Sequence, residues 1–501
     1  MTDLFSSLIL RGLRLTSEYC NERVPLPLSR LIKRPGLQAC APQPTASHGK
    51  IDAFAAKGDF KQALKPVSDE ITNNRFFYLF LSLAGLGVTG AVLCAGVVLT
   101  PDSASYLAHS VLRGPFVPLA LGALRAVCGA FSLQAFTVLQ TLFAAACALA
   151  FCAALRAVFG IAKITAALVF AALLSPFFVL HIGNTILSEA FAYGFYLCSA
   201  GAVLLLLREF SFGLLARLAV FITLGVLTRS QMAFLWGGYV FLLVYLCLRQ
   251  RSPRLIPKAV GIMLAAIVFA FVLRSGYNRL YHGVFTQVGA GMHLAADTLY
   301  VSGPQDLRLF KNKPYYPVME DIYSQMQARR LFASDRLALE LPMAVHNLQH
   351  SGDIGTVTLA PVYVYAAGPV APSDGRDGAV WLRVEDIQKD IYRTLYPLHR
   401  GDYFRLIASK LTRSISGFEA AFFLLAVLAL AAAALELPAP LPDREIVFLV
   451  AFAVALNIMN VGGVSAVTYV VYRYTFYTKV LELAAALVFA DRLLRGMARV
   501  K

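Results

Sequence analysis

Polar residues punctuate this chain at long intervals. Apolar runs cover about 76–99, 132–159, 162–180, 186–207, 213–229, 231–248, 258–275, 414–436, 446–462 and 475–493. Most meet or approach the roughly 20 residues that a bilayer-spanning helix needs. The pattern predicts a mainly α, polytopic membrane protein of about ten transmembrane helices. The stretch 213–248 is the least regular, because Thr228-Arg229-Ser230 divides it into two short spans.

The polar intervals divide the chain further. Residues 1–75 are polar and Pro-containing, with a basic stretch from Arg30 to Arg34-Pro35, and are expected to form a cytoplasmic tail. Leu4–Leu15 has the character of a short interfacial helix. The first clear apolar run begins only near Phe76, too late for a cleavable secretory signal. Residues 76–275 form an N-terminal transmembrane module containing a first extracytoplasmic loop, 100–131. The longest polar insertion, 276–413, mixes both charges and is expected to be an α-rich extracytoplasmic domain. Its helix-like pieces, Tyr315–Ala344 and Val384–Leu411, are separated by a Gly/Pro/Asp-rich stretch at Gly368–Gly378. Residues 414–501 form a C-terminal transmembrane module. The halves do not match in hydropathy, which argues against an inverted-repeat transporter.

Composition sharpens this picture. Hydrophobic residues make up 58% and charged residues 15%, with a mean hydropathy of +0.65. Soluble domains carry about 25% charge, so a soluble enzyme, a disordered regulator and a nucleic-acid-binding module are poor readings. The net charge of +16 fits basic cytoplasmic loops and contact with anionic lipid, with no nucleic-acid partner. Placing the tail inside puts the basic connections near Arg156/Lys163, Arg208/Arg217, Arg249–Lys258 and Pro438–Glu445, and the basic C-terminus, on the same side. Thr100–Phe131, His181–Thr185, the break at Arg229, Val461–Tyr474 and the large insertion then face out. Cys94, Cys128, Cys147, Cys152, Cys198 and Cys247 lie in apolar stretches at no metal-ligand spacing, so they read as small hydrophobes.

Candidate chemistry collects on the outer connections. In Thr100-Pro101-Asp102-Ser103-Ala104-Ser105-Tyr106, Thr100 is placed to cap a helix that Pro101 opens. Asp102, Tyr106, His109 and Arg113 follow at i, i+4, i+7 and i+11, which predicts one polar face of an interfacial amphipathic helix. Asp102 reads either as a helix-start residue or as a general base at a membrane-facing pocket. The stretch Gly114–Phe131 is too short to span and predicts a second interfacial helix. Glu189 heads an apolar helix, where a carboxylate reads as functional or as favoured by the helix N-terminus. Arg229 and the Arg473-Tyr474 pair sit on outer ends against the usual inside preference, where an arginine is either an anchor or a phosphate ligand. Lys479, just inside the last span, is a further candidate cation. His346 and His350 have i,i+4 spacing but no accompanying acidic motif. The glycines of Gly289–Asp297 would allow close approach to a ligand.

At these residues the sequence resembles the GT-C superfamily of integral-membrane glycosyltransferases, which includes the aminoarabinose transferase that modifies lipid A and the protein O-mannosyltransferases. The resemblance rests on Pro101-Asp102-Ser103-x-x-Tyr106-Leu107, Leu187-Ser188-Glu189, Leu227-Thr228-Arg229 and Arg473-Tyr474, and spans about 76–495. The tail departs from the family pattern. The first loop also lacks the double acidic pair of the protein mannosyltransferases, which weighs against a protein acceptor.

The resemblance implies a bacterial inner-membrane enzyme whose active site faces outward. It would move a sugar from a polyprenyl-phosphate donor to a lipid or glycan acceptor, with inversion. Asp102 would be the base, and Arg229, Arg473 and Lys479 would hold the phosphate. Glu189 would bind sugar hydroxyls, orient an arginine or help ligate a divalent metal, with Tyr106 and His109 lining the pocket. The alternatives are an O-antigen ligase or polymerase-like enzyme, a transporter or lipid flippase, and a non-catalytic scaffold.

Overall fold

The computed structural model describes residues 60–250, 255–287, 290–335, 342–368, 377–414, 422–423, 444–467 and 472–500. The expected tail up to residue 59, most of the span 414–436, Gly289 and most of the Gly368–Gly378 linker lie outside the described residues. The described chain is helical, and its only β pairing is an isolated parallel bridge, Val98 to Thr185.

An amphipathic helix α1 (Phe60–Asn73) leads into α2 (Arg75–Cys94), the short α3 (Pro101–Leu107), α4 (Phe116–Cys128) and α5 (Ser132–Phe159). Next come α6 (Lys163–Val179), α7 (Glu189–Arg208), α8 (Phe212–Thr228), α9 (Phe234–Gln250) and α10 (Leu255–His282). The insertion forms α11 (Ala290–Val301), α12 (Tyr316–Ala328), α13 (Met343–Ala367) and α14 (Gly378–Ser414); α15 (Arg444–Val467) and α16 (Tyr472–Val500) close the fold. Among the described residues, six stretches are long and apolar enough to cross a membrane: α2, the continuous α4–α5 unit, α7, Ser230–Arg249, α10 and α15. The helices α6 and α8 are apolar but one turn shorter. The last run lengthens into α16, whose Lys479, Glu482 and Asp491 interrupt its apolar character.

Side-chain size decides which helix is central. The helix α7 carries Ala190, Ala192, Gly194, Ala200, Gly201 and Ala202, which let neighbours approach closely. A Cβ on Gly194 would stand 2.4 Å from the Phe143 ring of α5. The most apolar window of α7 is 94% buried, whereas that of α10 is only 11% buried. The helix α10 instead presents Leu264, Val268, Phe269 and Val272 outward, the surface expected to meet lipid.

Two of the anticipated helices end early. The first-loop helix stops at Leu107 instead of running to Arg113, because His109 adopts a left-handed backbone (φ +54°) and the chain reverses. The expected single helix over Tyr315–Ala344 ends at Ala328, with Arg330 left-handed at φ +55°. The expected second interfacial helix, α4, is joined to α5 through one 3₁₀ turn at Gly129–Phe131.

The helices α11–α14 enclose a core of their own, including Leu299, Phe310, Met319, Ile322, Val357 and Leu395. Within it Lys410 pairs with Asp297 (2.8 Å), both buried. The Tyr403 hydroxyl donates to the Ala466 carbonyl of α15 (2.9 Å), fixing the insertion to the apolar bundle. A third core, with Tyr106, Leu121, Phe136, Ile186 and Phe191, lies beneath the first loop.

Candidate functional site

The first loop is fixed to the start of α7 by backbone bonds. Val98 N–H donates to the Asn184 carbonyl (2.8 Å), and Ile186 N–H donates to the Val98 carbonyl (3.2 Å). Gln140 of α5 holds the same segment from beneath, donating to the carbonyls of Gly183 (2.6 Å) and Thr185 (3.0 Å). Thr100 is the N-cap of α3, Pro101 its first residue, and Ser103 Oγ accepts from Thr100 N–H (2.9 Å). Asp102 is therefore presented from a helix start whose position relative to Glu189 is set by the main chain.

The reversal after Leu107 brings Arg113 back over α3. Its guanidinium pairs with Asp102 (2.6 Å), donates to Ser105 Oγ (2.7 Å) and lies 4.8 Å above the Tyr106 ring. Both members of this pair keep solvent access, with side-chain exposures of 40% for Asp102 and 28% for Arg113. On the inner side of α3 the buried Tyr106 hydroxyl donates to Ser188 Oγ (2.9 Å). Burial, and then the charge of Glu189, push the Tyr106 phenol up, so it acts here as a donor. Ser188 is the N-cap of α7 and also accepts from Arg229 (3.2 Å).

Glu189 follows Ser188, is 1% exposed, and pairs with Arg229 (3.1 Å). Arg229 caps the C-terminal end of α8 in extended conformation, where the sequence break falls. Its guanidinium lies 5.0 Å from the Tyr474 ring centroid. Asp102, Arg113, Tyr106, Ser188, Glu189, Arg229 and Tyr474 thus make one contiguous chain of contacts at one end of the bundle. The outer pair keeps solvent access, while in the inner pair Glu189 is buried and Arg229 part-buried.

From Arg229 a ladder of amides descends between α15 and α16. Arg229 Nε donates to Gln231 (3.0 Å), Gln231 to Asn460 Oδ1 (2.8 Å), and Asn460 to Thr478 Oγ1 (3.4 Å). Thr478 then donates to Asn457 Oδ1 (2.8 Å), and Asn457 donates to Glu482 Oε1 (2.7 Å). Gln231 and Asn460 also donate to the Tyr474 carbonyl. Ser188, Gln231, Asn457, Asn460, Thr478 and Glu482 are absent from the sequence-derived site. A signal for the last four existed: polar residues at helical spacing inside two apolar runs.

The remaining candidates fall elsewhere. The left-handed turn removes His109 from the face of Asp102, and its ring stacks on Tyr281 of α10 (5.0 Å), with Nδ1 3.1 Å from the Tyr277 hydroxyl. Burial, and secondarily His282, hold the His109 imidazole below its usual range. Arg473 lies in the first turn of α16, but its side chain is outside the described residues. Lys479 is half-buried on the same helix, beyond Tyr474. His346 is buried against Tyr300, its Nδ1 3.2 Å from the tyrosine hydroxyl. Among the described residues, no three His, Cys, Asp or Glu side chains cluster closely enough to hold a metal.

The loop seats tightly on the end of α8. A Cβ on Gly114 would stand 2.2 Å from the Leu227 carbonyl oxygen and 3.1 Å from that of Thr228. Gly114→Ala is therefore expected to lift the loop from α8, because backbone rather than a flexible side chain is in the way. A drop in melting temperature with faster proteolysis between residues 100 and 131 would show this; an unchanged protein would mean that the contact yields.

No family model matches the chain, and no curated protein matches it. Among solved structures, it is similar to the crystal structure of ArnT from Cupriavidus metallidurans bound to undecaprenyl phosphate. The identity is 16% over 83% of this chain and 77% of that one, with a TM-score of 0.31.

Proposed function

We propose that the chain is an integral-membrane glycosyltransferase that moves a sugar from a polyprenyl-phosphate donor to a lipid or glycan hydroxyl at the extracytoplasmic face. The observation that carries this reading is the junction at α3. A solvent-accessible carboxylate, Asp102, sits on a short helix whose opposite side is bonded through Tyr106 and Ser188 to the Glu189–Arg229 pair, in which Glu189 is buried. A base within reach of an incoming hydroxyl and fixed cations close by are what displacement of a phosphate requires.

In this mechanism Asp102 takes the proton of the acceptor hydroxyl as the oxygen attacks the anomeric carbon. The new C–O bond forms opposite the phosphate, the old C–O bond breaks, and the phosphate leaves with the electron pair, inverting the centre. Arg113, already paired with Asp102, steadies the carboxylate. Arg229, Arg473 and Lys479 supply positive charge toward the leaving phosphate. Glu189 holds Arg229 in place, and helices α11–α14 hold the acceptor at the same face.

The test uses purified full-length protein in proteoliposomes supplied with polyprenyl-phosphate sugars. Mass spectrometry of envelope glycans with and without the gene would narrow the acceptor. A new glycosidic product is the expected outcome. Movement of labelled lipid between leaflets without bond formation would instead identify a flippase.

A further inference from the structure

The outer third of α10 carries polar side chains turned inward. Below Ala270 its apolar surface faces outward, but from Arg274 onward the buried positions are Arg274, Ser275, Tyr277, Asn278 and His282. Arg274, Asn278 and His282 recur every fourth residue and share one face, with Ser275 beside it. Arg274 is 8% exposed, Ser275 and Asn278 are 0%, and His282 is 5%.

These residues are incompletely partnered among the described residues. Arg274 Nε, Ser275 Oγ, Asn278 Oδ1 and His282 Nε2 are all buried without a hydrogen-bond partner. Asn278 Nδ2 does donate to the Thr286 carbonyl (2.6 Å), and His282 Nδ1 lies 3.2 Å from Asp377, so the helix end is anchored. Arg274, by contrast, has no ion pair among the described residues. Elsewhere the buried Lys410 is paired with Asp297, and the part-buried Arg229 and Arg156 are paired with Glu189 and Glu70. A buried guanidinium without one is expensive, and in a membrane-spanning helix its default meaning is a ligand site.

The position is also informative. Tyr277, on the same stretch, meets His109 of the loop that bears Asp102 and Arg113. The loop rests on the end of α8 through Gly114. The α10 stripe therefore lies at the same end of the bundle as the candidate site. Arg113 and Arg229 are each paired there with a carboxylate, Asp102 and Glu189.

We propose that Arg274, with Ser275 and His282, forms an anion site for a phosphate group, either a lipid phosphate headgroup or free phosphate. The lipid source rests on the glycosyltransferase reading, and there the site would grip the donor phosphate; the anion site itself does not depend on that reading. Arg274 presents a fork of donors, the Ser275 hydroxyl adds one, and His282, its Nδ1–H on Asp377, adds one from Nε2 as the imidazolium.

The experiment uses full-length protein in zwitterionic nanodiscs, probed with inorganic phosphate, farnesyl phosphate and farnesol. Farnesyl phosphate is expected to bind the wild type, and Arg274→Met to weaken it by about tenfold or more. Farnesol, without the phosphate, is expected to bind both alike. The melting temperature of Arg274→Met without ligand is expected to equal or exceed that of the wild type, since an unpaired buried charge has been removed. Arg274-dependent binding of inorganic phosphate alone would support the anion site and reject the lipid source. Equal binding of both phosphates by wild type and Arg274→Met would overturn the site, as would a lower melting temperature in the variant, which would reveal a structural partner for Arg274. Glycosyl transfer by the wild type, assayed separately, keeps failure of the site distinct from failure of the transferase reading.

Discussion

Asp102→Asn is expected to abolish sugar transfer, lowering the rate by about 10²- to 10⁴-fold, the range supplied by a positioned general base. The asparagine keeps the size of the side chain and an oxygen that accepts from Arg113, so the 2.6 Å contact survives as a hydrogen bond without the charge. Helix α3 retains its Thr100 cap and its Tyr106–Ser188 anchor, because neither involves the carboxylate. Initial rates in proteoliposomes, with donor binding measured in parallel, separate the effects. Retained binding and lost turnover are expected. Full turnover in the variant would exclude Asp102 as the base.

The second large effect is at Glu189 and Arg229. With Glu189 1% exposed and 3.1 Å from Arg229, removing the arginine alone leaves a buried carboxylate without its main countercharge. Arg229→Gln is expected to destabilise the protein by about 3–5 kcal/mol, and Glu189→Gln by a similar amount. The double variant Glu189→Gln/Arg229→Gln should recover much of that loss, since two neutral amides remain compatible with Ser188 and Gln231. A double-mutant cycle read by thermal or denaturant unfolding gives the coupling. Additive losses would mean that the two charges are stabilised independently. Donor affinity in the double variant is expected to fall even where stability recovers.

Much of the architecture was legible from apolar run lengths, because a bilayer imposes a minimum length that few other environments require. The break at Thr228-Arg229-Ser230 marked the junction of α8 and α9, and Thr100-Pro101 marked the start of α3. The helix ends at His109 and Arg330 were hidden, because both residues take a left-handed backbone where glycine would have announced the turn. Asp102, Tyr106, Glu189 and Arg229 stood out as polar residues at helix ends. Gln231, Asn457 and Asn460 did not, since an uncharged amide inside an apolar run looks like tolerated noise until its partner on another helix is known. Arg274 falls at the end of the apolar run 258–275, where an arginine reads as the edge of a span; the helix continues for two more turns, which makes it an interior residue.

The ladder below Arg229 has a polarity of its own. A guanidinium can only give protons to its bonds, and Glu482 Oε1 receives one from Asn457. Gln231, Asn460, Thr478 and Asn457 could each be turned the other way in isolation. Bracketed by ends of opposite character, they obey something like the rule that orders water in ice: each group passes on a bond as it accepts one. The line from the candidate site to the middle of the bundle is thereby a directed row of dipoles, and reversing any one amide would set two donors or two acceptors face to face. Orientational order in the apolar interior is in this sense written by the two residues at its ends.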